Sequence, residues 1–83
     1  MFSVDLLEEA IQVAKDSGFE VRHEWLSESV GGACRIGQRR VLYVDLSLTA
    51  EEQLEQVVTA LRNERQMAVE SITSSALRDL LLP

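Results

Sequence analysis

Eighty-three residues, 46% of them hydrophobic and with a formal net charge of −6, describe one domain spanning residues 1–83. Domains rarely split below ~100 residues, and a disordered chain would be poorer in Leu, Val and Ile. The acidic excess repels phosphate backbones and anionic membranes, so neither nucleic acid nor a membrane is the expected partner, and a lone cysteine excludes an internal disulfide and fits a reducing cytoplasm.

The opening stretch, MFSVDLLEEAIQ, has no basic n-region and is not read as a signal peptide. The longest apolar runs, VLYV and LLL, are too short to span a bilayer. Residues 4 to about 17 predict a helix capped by Ser3, with Leu6, Leu7, Ala10, Ile11 and Ala14 as its apolar stripe. Gly18 stops it in the left-handed region, and Phe19 folds back toward Ala14. FEVRHEWL alternates as a strand, with Phe19, Val21, His23 and Trp25 on the core-facing side and Glu20, Arg22 and Glu24 on the other. SESVGG predicts a loop.

ACRI and RRVLYVDL predict two further strands. The glycine of Gly37-Gln38 suits a type II′ turn, which sets Cys34 opposite Val41 and Arg35 opposite Arg40. A loop one residue longer swaps the faces, so both registers stay open. In LTAEEQLEQVVTALRN, Thr49 and Glu52 have capping-box spacing, and Leu54, Val57, Val58 and Leu61 form the buried stripe, with Leu54, Val58 and Leu61 most buried. RQMAVESIT lacks a helical stripe and reads as a turn and extended segment. SSALRDLLL predicts a short helix capped by Ser74 or Thr73, with Leu77, Leu80 and Leu81 inward. No Gly or Pro interrupts residues 50–82, so one long helix is the alternative. The sum is an α+β fold: helix, small three-stranded antiparallel sheet, helix, short C-terminal helix, with the helices on one face of the sheet.

Three groups of residues invite a chemical reading. Cys34 beside Arg35, with His23 on the neighbouring predicted strand and Asp45 to orient the imidazole, has the composition of a thiol-based pair. A cysteine in a strand also serves as a small buried hydrophobe, and that reading predicts a cost of about 1–3 kcal/mol for replacing it. His23, between Val21 and Trp25, reads as a core histidine. One Cys and one His fall short of the four ligands of a structural zinc site, so no metal and no cofactor are expected. Gly31-Gly32 lead into a strand rather than a helix N-terminus, against a phosphate loop. Arg35, Arg39 and Arg40 guard a sheet edge and offer contact to an anion or an acidic partner.

The segment GGACRIGQRRVLYVDLSLTAEEQLEQVVTAL resembles a group of small uncharacterised bacterial proteins with a Gly-Gly-x-Cys-Arg hairpin, a strand ending in Asp and a Glu-rich helix. That resemblance runs from about residue 19 to 82 and implies no activity. The order of hairpin, strand and Thr-started helix also resembles the scaffold of ImmA/IrrE-type metallopeptidases. The zinc-binding HExxH of those enzymes falls here on Thr59, Ala60, Leu61, Arg62 and Asn63, which hold neither histidine nor the glutamate. The resulting expectation is a non-catalytic protein-binding or assembly module of the bacterial cytoplasm. The alternative is a small thiol-dependent enzyme using Cys34 and His23. A homodimer is expected as well, because VLYVD carries apolar residues on both faces, Val41 and Tyr43 on one and Leu42 and Val44 on the other. Two helices cover only one face, and twofold pairing covers the other with a single patch.

Overall fold

The structure is a computed structural model that describes residues 3–26 and 31–82. Its elements in chain order are helix α1 (Ser3–Asp16), strands β1 (Phe19–Glu24), β2 (Gly32–Ile36) and β3 (Arg39–Asp45), helix α2 (Ala50–Arg62), a 3-10 turn (Val69–Ser71) and helix α3 (Ser75–Leu81). The α+β mixture matches the sequence pattern. The sheet does not match it: its order is β1-β3-β2, and β1 runs parallel to β3 while β2 runs antiparallel. The expected all-antiparallel sheet is therefore corrected to a mixed one. The cause lies in β3. VLYV is apolar on both faces, and a strand of that kind is best placed in the centre with a neighbour on each side.

The register puts Phe19, Val21 and His23 level with Arg40, Leu42 and Val44, and Ala33 and Arg35 level with Leu42 and Arg40. These residues share the face that α1 and α2 cover. Leu42 and Val44 join Leu7, Val13, Val57 and Leu61 in the core. On the opposite, open face Val41 is nonetheless wholly buried, flanked by its cross-strand neighbours Glu20 and Cys34. Tyr43 is half-buried there.

Helix boundaries follow local chemistry. The Thr49 hydroxyl accepts from the Glu52 amide, and the Glu52 carboxylate accepts from the Thr49 amide, so the capping box forms. Gly18 takes φ +98°, as its stop role requires, and a Cβ there would collide with the Arg40 guanidinium. The helix begins at Ser3, whose side chain, the expected cap, lies outside the described residues, as do residues 27–30 of the predicted SESVGG loop. Val13 and Ala60 are buried core members that the sequence stripes omit, while Val58 is only half-buried.

Residues 50–82 form two helices, not one. Three residues in or just after α1, Ser17, Asp16 and Glu9, hold the intervening segment along it. The Ser17 hydroxyl donates to the Val13 carbonyl and accepts from the Ala68 amide at 2.8 Å. Asp16 accepts from the Ser71 hydroxyl at 2.6 Å. Glu9 accepts from the Thr73 amide, the Thr73 hydroxyl and the Ser74 amide at 2.7, 2.8 and 2.9 Å. Ser74 then caps α3 by accepting from the Leu77 amide. Leu77 and Leu81 are buried, whereas Leu80, expected inward, is 40% exposed. The final helix packs on α1 and α2, so residues 67–82 leave the open sheet face uncovered.

Glu9 is thus the tether of the C-terminal segment. Burial raises its pKa, but the hydrogen bonds from Ser74 and then Thr73 outweigh it and hold the carboxyl at about 2, below its ordinary 4.5. A carboxyl depressed on folding contributes stability above its unfolded pKa and loses it as pH falls toward the folded value. Glu9→Gln should therefore cost about 1–2 kcal/mol at pH 7. The difference from the parent chain should shrink between about pH 5 and pH 2, measured by urea titration at several pH values. An equal deficit at pH 7 and pH 3 would show that the carboxylate charge is not what holds the segment.

Candidate functional site

β1 and β2 are the two edges of the sheet, and they differ in how they are protected. The β1 side carries Glu20, Arg22 and Glu24, joined in a network with Arg39 on the open face. Arg22 Nε meets Glu24 at 2.9 Å, and Arg39 Nη2 meets Glu20 at 2.6 Å. The β2 sequence, GACRI, has one charge, Arg35, and no proline. Charged side chains and proline are the usual means of blunting an edge, and β2 has little of either.

The hairpin fixes which backbone groups of β2 face outward. Of the two turn residues Gly37 takes a positive φ, +63°, and Gln38 does not, the pattern of a type II′ turn closed by Ile36 and Arg39. The sequence register with Cys34 opposite Val41 is the one formed. In a two-residue hairpin the closing pair is hydrogen-bonded and the pairs then alternate. Ile36, Cys34 and Gly32 therefore point their amides and carbonyls at β3, and Ala33 and Arg35 point theirs away from the sheet.

Beside this edge lies an open groove of about 620 Å³ between β2 and α2. Its floor is Gly31, Gly32 and Ala33, and its α2 wall carries Glu55, Gln56 and Thr59. Gln56 accepts from the Asp45 amide at 3.0 Å and lies so close to Gly31 that a Cβ there would strike its side-chain amide. Asp45 in turn accepts from the Leu26 amide, the Ser47 amide and the Ser47 hydroxyl. The Ser47 hydrogen bonds are the chief cause of its lowered pKa. Asp45 is thus a loop anchor at the C-terminal end of β3 and does not face an imidazole.

The sequence-predicted residues are placed as follows. Cys34 is exposed, not buried, because β2 is an edge and its open-face side chain has a neighbour on one side only. His23 is exposed rather than in the core, and Trp25, beyond the last paired residue of β1, is 73% exposed. β3 stands between His23 and Cys34. His23 pairs with Val44 and Cys34 with Val41, three residues apart along β3, so the two side chains project from opposite faces. Two strand spacings and three residues of rise separate their backbones by roughly 10 Å in each direction. The thiol–imidazole pair is not assembled within the chain.

Of the arginines, Arg39 is paired with Glu20, and Arg40 with Glu64 at 2.6 Å and with the Ser17 carbonyl at 2.7 Å. The Arg35 side chain makes no hydrogen bond or ion pair among the described residues, though its charge helps to lower the pKa of Glu64, and its carbonyl accepts from the Cys34 thiol at 3.9 Å. Among those residues, no group of three His, Cys, Asp or Glu side chains is placed to hold a metal ion, and no helix is long and apolar enough to cross a membrane. Arg35 reads in the sequence as an edge arginine and a candidate contact; that β2 is the edge, with the α2 groove beside it, is what residue reading missed, because an edge is a property of strand order. The signal available was the scarcity of charge in GACRI.

An exposed Cys34 revises the expected cost of its replacement. Cys34→Ser should change stability by no more than about 0.5 kcal/mol in urea denaturation, since surface changes away from special features rarely do more. A loss above about 1 kcal/mol would return the thiol to a packed position.

No family model matches the chain, nor does any curated protein or solved structure.

Proposed function

We propose that the chain is a non-catalytic protein-binding or assembly module of the bacterial cytoplasm. Its binding element is the outer edge of β2, to which a protein strand adds. One observation carries this reading: among the described residues no strand pairs with the outward backbone groups of Ala33 and Arg35, which lie beside an open groove on an edge with a single charge. Strand addition obtains affinity from main-chain hydrogen bonds and specificity from the sites that alternate side chains enter. Here those sites are the α2 groove on one face and the Cys34 and Ile36 surface on the other. The bacterial setting rests on the Gly-Gly-x-Cys-Arg resemblance, and the cytoplasmic one on a lone unpaired thiol.

The test is selection of unstructured peptides against the chain, followed by hydrogen exchange. Selected ligands should protect the Ala33 and Arg35 amides. Ligands that protect another surface would move the binding site away from β2.

The rival, a thiol-dependent enzyme using Cys34 and His23, makes a different prediction. A thiolate activated for catalysis reacts with an alkylating reagent much faster than an ordinary thiol. Cys34 should instead react with iodoacetamide at about the rate of glutathione at the same pH. A rate a hundredfold higher would favour the enzyme.

A further inference from the structure

Resting on the β2 edge as the binding element, we infer that the strand added there is β2 of a second copy. The two strands run antiparallel about a twofold axis that places Cys34 opposite Cys34 of the partner. The result is a continuous six-stranded sheet with both helical layers on one side.

The register follows from the outward groups. A hydrogen-bonded pair across the new seam must join residues whose amides point outward, and on β2 these are Ala33 and Arg35. Pairing Ala33 with the partner's Arg35 overlaps all five residues of Gly32–Ile36. Slipping the register so that Arg35 meets the partner's Arg35 sets like charges directly opposite, a destabilising arrangement. Slipping it the other way leaves Ile36 beyond the end of the partner's β2.

Shape and charge agree with this register. Ile36, 45% exposed, falls opposite the partner's Gly32, where a Cβ would meet nothing within 4 Å. Arg35 falls opposite the partner's Ala33, the floor of the groove whose α2 wall carries Glu55. Among the described residues neither the Arg35 nor the Glu55 side chain makes a hydrogen bond or ion pair within the chain; the acid that Arg35 influences there is Glu64, already paired with Arg40. The twofold makes this contact twice, so one Arg–Glu pairing on the sequence gives two across the seam. Cys34 is itself at a non-hydrogen-bonded position of the seam, where facing Cα atoms are about 4.5 Å apart. That separation lies inside the disulfide window of about 4.4–6.8 Å, so the thiol reports the register.

The experiment combines mass and crosslinking on the full chain under reducing and then oxidising conditions. Sedimentation equilibrium from 1 to 200 µM should give a species of twice the 9.3 kDa of one chain. Diamide removes two electrons and two protons from a thiol pair, becoming the hydrazine as the S–S bond forms. It should convert most of the protein to a covalent dimer. With the thiol moved along the strand, in Cys34→Ser with Ile36→Cys, crosslinking should fall at least tenfold, because residue 36 faces residue 32 of the partner. Arg35→Glu should weaken association by at least about tenfold, the low end of the coupling of close charge pairs at interfaces. Arg35→Glu with Glu55→Arg should restore it.

A chain that stays at 9.3 kDa to 200 µM overturns the self-pairing. If selected peptides still protect Ala33 and Arg35, the β2 edge stands as a site for another protein. A dimer that neither crosslinks through Cys34 nor responds to Arg35→Glu overturns it equally, since its seam then lies elsewhere.

Discussion

Replacing Leu42 by alanine should lower the stability of the chain by about 2–5 kcal/mol, the range found when a large aliphatic side chain is removed from a closed core. Leu42 is wholly buried at the middle of β3, level with Val21 and Ala33 and facing the core that α1 and α2 close. The surroundings relax only partly around such a cavity, so most of the lost contacts are not regained. A domain of this size has a total stability on the order of 4–12 kcal/mol, so the loss is a large part of it. The midpoint of thermal unfolding should fall by roughly 8–40 °C, at about 4–8 °C per kcal/mol. Val41→Ala should cost less, because only other side chains of the sheet cover that face. Leu80→Ala, on the 40% exposed residue, should change stability by under about 1 kcal/mol. Differential scanning calorimetry of the three variants checks the order. A Leu42→Ala protein within about 1 kcal/mol of the parent would mean that β3 is not the centre of the core.

That order of costs follows from a feature the sequence displays but does not interpret by itself. VLYV is apolar on both faces. Such a run fits a strand covered by a second molecule, and it equally fits a central strand flanked on both sides. The structure places the run in the central strand, and Val41 is buried although no helix among the described residues covers it. The choice turns on whether β1 lies beside β2 or beyond β3, a long-range matter that periodicity does not encode. Local signals carried much further. The Thr49–Glu52 box, the Gly18 stop, the Gly37 turn with its register and the Ser74 cap all depend on residues within a few positions of one another, and each formed as its chemistry requires. The break between α2 and α3 was only half legible. Nothing in residues 64–73 forbids a helix, and the contacts that prevent one reach back to Glu9, Asp16 and Ser17.

The candidate site divides along the same line. The residue types of a thiol pair were legible as Cys34 and His23, but strand order sets them on opposite faces. Arg35, Arg39 and Arg40 read alike in sequence and differ in the fold because of what the parity of the strand brings to each. Arg39 points to the open face and meets Glu20, Arg40 points to the helices and meets Glu64, and Arg35 points the same way from an edge with no acid bonded to it.

Arg40→Ala is expected to be the most damaging of the three arginine replacements, at about 2–4 kcal/mol, because it removes a partly buried charge that several groups depend on. Its Nη1 meets Glu64 at 2.6 Å, its Nη2 donates to the Ser17 carbonyl at 2.7 Å, and the guanidinium carbon lies 5.3 Å from the centre of the Phe19 ring. The side chains of Arg40 and Glu64 are 23% and 15% exposed, so water replaces little of what is lost. Arg40→Lys should recover only part of the loss, since an ammonium lacks the planar fork that reaches the carboxylate and the carbonyl together. Glu64 has its pKa lowered by the Gln66 amide first, against burial, then by Arg40 and least by the charge of Arg35. A carboxylate depressed on folding stabilises above its unfolded pKa and ceases to do so as pH falls through the folded value. The gap between the parent chain and Arg40→Ala should therefore narrow below about pH 4, and a double-mutant cycle with Glu64→Gln should return a coupling of about 1–2 kcal/mol at pH 7. Gly18 supplies a second reading of the same contact. In the parent chain Gly18→Ala meets both the strain of φ +98° and the collision with the guanidinium. In Arg40→Ala only the strain of about 1–2 kcal/mol remains, so the two substitutions should be less than additive. Full additivity, or a loss below about 1 kcal/mol that vanishes in high salt, would make Arg40 an ordinary surface charge rather than the residue that joins β3 to the end of α1.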